Sequence, residues 1–219
     1  MSEVLQNFIN GRFVPAQGRD TVDIVNPGTG ETVAVSPVSG QEDVEAAFRA
    51  ATDAARTWKR TTPAERQEAL LRIADGLVEH RDELIEAQHR NTGQPRALIG
   101  EEEVDAGADN LRFFAGAART LEGRAATEYM SEHTSYVRRE PLGVVAQVTP
   151  WNYPLTLGAT DLFAALVAGN AVVHKPDSQT ALTAVIMRRL AIAVGLPAEV
   201  WQLVPGENDE VGPALIAGA

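Results

Sequence analysis

Short apolar runs alternate with longer helical patterns in the second half of the chain. The apolar runs lie at 143–148, 171–174 and 200–204, and helical periodicity fills 155–167 and 180–194. Strands that are apolar throughout are typical of parallel sheets, whose two faces are covered by crossover helices. The pattern therefore predicts a β-α-β-α-β unit, an α/β fold with helices on both faces of a parallel sheet.

The first half of the chain is mostly helical and begins with short strands. The Asn10-Gly11 pair stands between alternating residues and predicts a β-hairpin, and a second strand pair is predicted around 26–30. Helical spacing predicts an amphipathic helix over 41–58, one helix or two over 62–93, and a further helix from 97 to 121. Helices therefore precede the alternating unit along the chain.

Two polar segments interrupt these patterns. Three consecutive glutamates, Glu101 to Glu103, fall within the third helical stretch and are interpreted as a solvated face. Between 125 and 140, β-type residues flank a polar Ser131-Glu132-His133 tip. This second segment predicts a protruding β-hairpin.

Composition and charge narrow the function classes. Of 219 residues, 44% are apolar and 22% are charged, which is typical of a globular protein of one domain or slightly more. The formal charge of -11 repels phosphate backbones and anionic lipid, so we expect no nucleic-acid partner. The apolar windows are too short for a membrane span and the start lacks a signal-peptide layout, so we expect no membrane association and a cytoplasmic location.

The sequence contains no cysteine, and this excludes three kinds of site. Disulfides, thiolate metal sites and a thiol nucleophile all need this residue. The four histidines, at positions 80, 89, 133 and 174, lack ligand spacing such as i, i+4, so no metal site is expected. A serine or metal hydrolase is disfavoured, because the chain has neither a Gly-x-Ser-x-Gly elbow nor this histidine spacing.

The candidate chemistry lies in the loops that follow the first two strands of the alternating unit. These loops are Thr149 to Pro154 and Lys175 to Thr180. Parallel strands bind ligands at their carboxyl ends, where each loop leads into the next helix. No Gly-x-Gly-x-x-Gly occurs in the chain, so a phosphate cradle of that type is absent.

Asn152 and Lys175 are the two polar candidates in these loops. Asn152 stands between Pro150-Trp151 and Tyr153-Pro154, which restrict its backbone, so its amide suits an oxyanion. The alternative is an asparagine that ties its own turn. The Lys175 ammonium either reaches a cofactor hydroxyl or phosphate, or is simply solvated. The aromatic rings of Trp151 and Tyr153 are interpreted as packing groups.

Six short motifs follow one another through the second half of the chain. They are Pro141 to Val145, Thr149 to Leu155, Ala168 to Val173, Lys175-Pro176, Gly195-Leu196-Pro197 and Val204-Pro205-Gly206. In this order they resemble the aldehyde dehydrogenase superfamily. The likeness extends upstream through Asn26-Pro27, the turn from Asn91 to Pro95, and Arg112-Phe113-Phe114, and so covers nearly the whole chain.

The resemblance implies a Rossmann-like parallel sheet of the aldehyde dehydrogenase type, incomplete in this chain. Residues 1–125 and 141–219 would form the amino-terminal part of the cofactor-binding domain, and 126–140 an oligomerisation hairpin. In this family the hairpin packs on a neighbouring subunit, so a homodimer or homotetramer is implied. The catalytic domain would lie outside these residues.

Members of this family oxidise aldehydes to carboxylic acids with NAD or NADP. A cysteine thiolate forms a thiohemiacetal, hydride passes to the nicotinamide, and a glutamate activates the water that releases the acid. This chain has no cysteine and ends near half the family's usual length, so it is predicted to be inactive by itself. Two interpretations stay open: the amino-terminal portion of a longer enzyme, or a truncated nucleotide-binding or assembly module.

The resemblance also assigns residues. Asn152 matches the asparagine whose amide stabilises the oxyanion, while Lys175 and Ser178 match positions that face the adenosine ribose. The residues assigned to cofactor binding are Thr149, Pro150, Trp151, Asn152, Lys175, Pro176, Asp177, Ser178, Pro205 and Gly206, and those assigned to the substrate tunnel are Tyr153 and Leu157. No residue is assigned to a metal.

The resemblance also bears on cofactor and substrate preference. Many NAD-preferring relatives carry Glu where this chain has Ser178, and that carboxylate repels the 2′-phosphate of NADP. Because Ser178 lacks this charge, we expect NADP to be tolerated or preferred, although Asp177 restores part of the repulsion. The resemblance implies a small-molecule aldehyde as the substrate. Glu132 to Arg139 resembles amino-aldehyde dehydrogenases, whereas Thr160-Asp161 and Lys175 to Thr180 resemble succinate-semialdehyde dehydrogenases, so the sequence predicts a semialdehyde or an amino-aldehyde.

Overall fold

The computed structural model of the protein describes residues 3–218. Its strands are β1 (Glu3–Val4), β2 (Asn7–Ile9), β3 (Arg12–Val14), β4 (Thr21–Val25), β5 (Thr32–Pro37), β6 (Arg124–Met130), β7 (His133–Val137), β8 (Val144–Val148), β9 (Ala171–Lys175) and β10 (Trp201–Leu203). Its α-helices are α1 (Gln41–Trp58), α2 (Pro63–Glu79), α3 (Arg81–Thr92), α4 (Arg96–Leu98), α5 (Ala106–Ala117), α6 (Pro154–Val167), α7 (Ala181–Ala193) and α8 (Asn208–Gly218). A π-helical segment, Ile99–Asp105, joins α4 to α5, and 3₁₀ turns at Ser178–Thr180 and Ala198–Val200 precede α7 and β10.

The largest sheet contains the three strands that the apolar runs predict. Its order is β3-β2-β10-β9-β8, with β8, β9 and β10 parallel. The β2–β3 hairpin adds antiparallel strands beside β10. Its turn residues Asn10 and Gly11 have φ values of 51° and 80°, which is why the Asn-Gly pair predicts this hairpin correctly. The α/β fold with a parallel sheet is confirmed.

Helices cover both faces of this sheet. Ala171 and Val173 of β9 pack with apolar residues of α1 and α8, whereas Val172 packs with those of α6 and α7 on the other face. Strand β9 is buried throughout. Strand β8 is only partly buried, since within residues 3–218 it is the outer strand of the sheet. The expected burial on both faces therefore holds for β9 and β10 and not for β8.

The amino-terminal strands and helices largely follow the hydrophobic pattern. Strands β4 and β5 form the predicted second pair, and β1 joins them in a separate sheet. Helix α1 spans the predicted 41–58, and His80 divides the following stretch into two helices. Helix α5 ends at Ala117 rather than near 121, because its last turn tightens and Leu121, which is 62% exposed, finds no core to enter.

The two remaining strands form the protruding hairpin that the sequence predicts. Strands β6 and β7 pair only with each other, and every residue in them is exposed. The turn contains Glu132 with a φ of 63°. Large apolar side chains on the hairpin, including Tyr129 and Tyr136, face solvent in the single chain.

Arg188 ties α7 to β10 from inside the core, and its loss should destabilise the fold. The buried guanidinium donates to the carbonyl oxygens of Trp201, at 3.0 Å, and Ala198, and its Cζ lies 3.9 Å from the centre of the Phe8 ring. Burial lowers the pKa of Arg188 to about 9. We expect Arg188→Met to lower the free energy of unfolding by about 2–3 kcal/mol in urea titrations, because one buried and one partly buried carbonyl lose a charged donor.

The adjacent arginine provides a matched control. Arg189 is exposed and pairs with Glu3 across 2.7 Å at the surface. Exposed ion pairs contribute roughly 0–1 kcal/mol, so Arg189→Met should change unfolding little. Equal losses in the two variants would contradict a specific role for the buried guanidinium.

Candidate functional site

The two loops with candidate chemistry begin side by side. Val148, the last residue of β8, pairs with Lys175, the last residue of β9. The backbone N–H of Thr149 then donates to the Lys175 carbonyl across 3.1 Å. Parallel pairing therefore brings the loops after β8 and β9 to one edge of the sheet, as the sequence predicts.

His174 anchors the start of the first loop. Thr149 is buried, and its Oγ1 shares a hydrogen bond of 2.8 Å with Nε2 of His174. Burial, together with the neighbouring Lys175 charge, lowers the pKa of His174 to about 3. The imidazole is therefore neutral at physiological pH and acts as a fixed hydrogen-bond partner for Thr149. Pro150, next in the loop, is exposed.

Asn152 presents a side chain that the described part of the chain does not engage. The residue is exposed, and its carbonyl oxygen accepts a hydrogen bond of 3.1 Å from Nε2 of Gln94. No side-chain hydrogen bond ties Asn152 to its own turn within residues 3–218. The backbone is held while the amide faces open space, an arrangement suited to binding an oxygen of a ligand.

The two aromatic residues beside Asn152 do not pack as the sequence analysis expects. Trp151 is 65% exposed and Tyr153 is 37% exposed. The Tyr153 hydroxyl donates to Glu102 Oε2 at 2.6 Å, and this hydrogen bond raises the pKa of Tyr153. Leu157, one turn into α6, is half-buried and donates its N–H to the Tyr153 carbonyl. Tyr153 and Leu157 are therefore one helical turn apart at the start of α6.

Lys175 is buried, whereas the sequence predicts an ammonium that reaches a cofactor or is solvated. Alternation along β9 puts it on the α1 and α8 face, opposite His174. The side chain is 1% exposed, and Nζ donates to the carbonyl of Pro176, itself buried, at 3.0 Å. Burial lowers the pKa of Lys175, while the carboxylates of Asp177 and Glu207 oppose this shift. The enclosed ammonium therefore has one hydrogen bond, to a backbone carbonyl, while the charges of two carboxylates favour its protonated form.

The second loop turns immediately into α7. The Asp177 carboxylate accepts from the backbone N–H of Gln179 at 3.0 Å and caps the 3₁₀ turn that contains Ser178. Ser178 is half-buried. The Gln179 carbonyl accepts from Nδ2 of Asn91 at 2.6 Å, so the end of α3 supports this loop. Asp177 is therefore engaged locally, in the cap of this turn.

The carboxyl end of β10 lies at the same edge of the sheet as the ends of β8 and β9. Pro205 and Gly206 follow β10, and both are buried. The Pro205 carbonyl accepts from Ser39 N–H at 3.1 Å, and a Cβ at Gly206 would lie 2.9 Å from Ser39 N and 2.5 Å from Val211 Cγ2. This position therefore needs glycine for close packing against α8.

The support of the Asn152 loop comes from residues that the sequence pattern did not single out. Glu103 belongs to the acidic run interpreted as solvated, yet it is 0% exposed and accepts from the N–H of Leu155 at 2.9 Å. Glu101 and Glu102 are exposed, as expected. Helical spacing from Ile99 to Glu103 places both on the buried stripe, and that spacing was the available signal.

None of the helices within residues 3–218 combines the length and the hydrophobicity that a transmembrane span requires. In the same part of the chain, no group of three or more His, Asp or Glu side chains is arranged to hold a metal ion.

The chain matches the aldehyde dehydrogenase family over residues 13–218. Among solved structures, the NAD+ complex of aldehyde dehydrogenase from Bacillus cereus is 35% identical, with a TM-score of 0.92 over 98% of this chain and 44% of that chain. PnpE from Pseudomonas sp. WBC-3 is 36% identical, with a TM-score of 0.93 over 98% and 44%. HpcC from Thermus thermophilus is 34% identical, with a TM-score of 0.92 over 98% and 42%.

The alignment therefore covers nearly all of this chain but only part of each solved structure. The chain spans less than half the length of each of the three. Family match and fold together confirm the resemblance that the ordered motifs indicate. The chain belongs to the aldehyde dehydrogenase family.

Proposed function

We propose that this chain supplies the cofactor side of an NAD- or NADP-dependent enzyme that oxidises an aldehyde to a carboxylic acid. The observation that carries this proposal is the free amide of Asn152 on a braced backbone, at the carboxyl end of β8 and beside the end of β9. A PnpE structure and the B. cereus structure are described as complexes with NAD, which favours a dinucleotide at the corresponding edge here.

The residues at this edge fit a dinucleotide in their chemistry. Lys175 offers an ammonium, Ser178 a hydroxyl, and the strand ends offer backbone groups. The enclosed Lys175 would have to exchange the Pro176 carbonyl for a ribose hydroxyl. In this assignment Thr149, Pro150 and Trp151 border the nicotinamide side, Pro176 and Asp177 flank the ribose, and Pro205 and Gly206 lie toward the adenine.

NAD or NADP supplies the hydride acceptor when bound. The part of this chain is to orient the substrate and to stabilise charge. The Asn152 N–H groups donate to the aldehyde oxygen as it gains negative charge, and Tyr153 and Leu157 border the path by which the aldehyde enters. The nucleophile and the general base belong to residues outside this sequence, which has no cysteine, so the chain by itself is inactive in this proposal.

The proposal also names a substrate class and an oligomeric state, which family membership alone does not specify. We retain a semialdehyde or an amino-aldehyde as the substrate, from the two sequence likenesses. The exposed tyrosines of the β6–β7 hairpin favour packing against a second copy of the protein, as a homodimer or homotetramer.

The alternative is a nucleotide-binding or assembly module without catalysis, which the lack of cysteine favours. The mass of the native product separates the two. A product of only 23.5 kDa supports the module, and a heavier product that contains this sequence supports the enzyme.

The test of the proposal is aldehyde-dependent reduction of NAD and NADP by the native product. We expect reduced nicotinamide to accumulate with semialdehydes or amino-aldehydes and the acid to form in equal amount. Absence of turnover with both cofactors and both aldehyde classes would contradict it. Quenching of tryptophan fluorescence by NAD or NADP, with Trp151 exposed in the loop, measures binding separately from turnover.

Ser178→Glu should shift the cofactor preference of the active protein toward NAD. The added carboxylate would repel the 2′-phosphate, which carries about -1.5 to -2 charge, and accept from ribose hydroxyls. We expect kcat/KM with NADP to fall at least about tenfold relative to NAD. The control is Gln179→Glu, which puts the same charge one residue further along on an exposed side chain. A parent protein that already strongly prefers NAD would overturn the expected role of Ser178.

A further inference from the structure

The amino end of α6 is capped by a side chain from another element. Glu103, in the π-helical segment, is buried, and its Oε2 accepts from the backbone N–H groups of Leu155 at 2.9 Å and Thr156 at 3.4 Å. Tyr153, at the N-cap position, makes no side-chain cap. A carboxylate at this point compensates the partial positive charge of the helix terminus, directly after Asn152.

The same carboxylate begins a directed series of hydrogen bonds. Its Oε1 accepts from Nε2 of Gln88, and that nitrogen also donates to Oε1 of Gln94 at 2.7 Å. Nε2 of Gln94 in turn donates to the carbonyl of Asn152 at 3.1 Å. We call this series, from Glu103 through Gln88 and Gln94 to Asn152, the relay.

The direction of the relay follows from the chemistry of Glu103. An ionised carboxylate only accepts hydrogen bonds, so Gln88 must turn its NH₂ group toward it. Gln88 uses both amide hydrogens, and Gln94 must therefore face it with oxygen and face Asn152 with nitrogen. A neutral amide in place of Glu103 would put a second NH₂ group against either Gln88 or the N–H of Leu155.

Gln94 is itself held in place. Its backbone N–H donates to Oγ1 of Thr92 at 3.2 Å, and its carbonyl oxygen lies 2.7 Å from Nδ1 of His89. Gly93, with a φ of 74°, ends α3, and a Cβ there would lie 2.7 Å from Pro27 Cγ. A rigid turn therefore presents the Gln94 amide to the Asn152 loop.

A buried carboxylate is a costly way to cap a helix. Burial raises the pKa of Glu103 despite hydrogen bonds that favour the charged form. A serine or aspartate at the N-cap position would satisfy the same N–H groups without burying a charge. Unlike such a residue, Glu103 also links the helix terminus to the Asn152 carbonyl through the hydrogen bonds of the relay.

We propose that Glu103 and Gln94 are positioning residues for catalysis, because the relay sets the backbone of Asn152 and thereby the direction of its side-chain amide. The inference rests on the proposed function for its kinetic part only. Neither residue contacts substrate or cofactor in this assignment, and each acts through Asn152.

The first experiment measures the relay in the absence of cofactor and substrate. Gln94→Met keeps the side-chain length and removes the donor to Asn152, and Gln94 is only half-buried, so the variant should fold. We expect amide hydrogen exchange between 151 and 156 to accelerate at least about tenfold, with other helices unchanged. Gln41→Met, at an exposed glutamine bonded to Glu45, is the control. Equal exchange in the two variants would overturn the relay whether or not the protein oxidises aldehydes.

The second experiment measures the consequence in the active protein. Gln94→Met and Glu103→Gln should lower kcat about 10- to 100-fold, because small errors in orientation are costly, and leave the KM for cofactor nearly unchanged. Glu101→Gln, an exposed carboxylate two residues away, should retain the parent kcat. Faster exchange with an unchanged kcat per folded molecule would assign the relay a structural role and overturn the proposal.

Discussion

Asn152→Ala should lower kcat of the active protein by about 10²–10³-fold and leave the melting temperature nearly unchanged. Loss of one donor to a developing oxyanion typically costs about 3–4 kcal/mol of transition-state stabilisation. Folding should be spared, because the side chain is exposed and makes no hydrogen bond with any residue that the structure describes. The measurements are steady-state kinetics and thermal unfolding of the same preparation.

Asn152→Asp distinguishes the effect of the side-chain N–H donors from the effect of side-chain size. Aspartate keeps the size of the side chain, removes the N–H donors and adds negative charge where negative charge develops. We therefore expect a loss of kcat at least as large as that of the alanine variant. Retained kcat in either variant would show that the amide of Asn152 does not stabilise the reacting oxygen.

Acid should destabilise the fold through His174 over a defined pH range. The pKa of His174 falls from an ordinary value of 6.5 to about 3 on burial, so the unfolded chain binds its proton first. The contribution of neutral His174 to the free energy of unfolding is fully present above pH 6.5 and is lost as the pH falls toward 3. The full shift corresponds to up to about 5 kcal/mol.

His174→Gln isolates this contribution. Glutamine keeps a polar partner for Thr149 and does not titrate, so the difference in unfolding free energy between parent and variant should shrink as the pH falls. His133→Gln removes an imidazole from the exposed hairpin and should reproduce the acid profile of the parent. A parent-to-variant difference that is constant between pH 7 and 4 would contradict the assignment, since that interval lies within the expected range.

The structure also explains why neighbouring basic residues on β9 behave differently. His174 and Lys175 alternate across the sheet, so one faces α6 and α7 and the other faces α1 and α8. His174 holds the Asn152 loop through Thr149, while Lys175 is turned onto Pro176 beside Glu207. Each loop is thus supported from a different face of one strand.

Several elements could be predicted because their signals are local. Apolar runs specify β9 and β10, helical spacing specifies α1, and the Asn10-Gly11 turn specifies the first hairpin. Adjacent loops after β8 and β9 follow from parallel pairing alone. The family motifs add the identity of Asn152 as a candidate, which residue spacing by itself leaves open against a local turn role.

The sequence by itself determined the order of elements, the family and the loops that carry Asn152 and Lys175. Tertiary structure alone decided which groups Glu103 binds, that Lys175 is enclosed and that β8 is partly exposed. The reason is physical: periodicity reports which side of its own element a residue occupies, whereas a hydrogen-bond partner such as Leu155 for Glu103 lies 52 positions away and is chosen by packing. Burial and polarity at this site are therefore properties of the assembled fold.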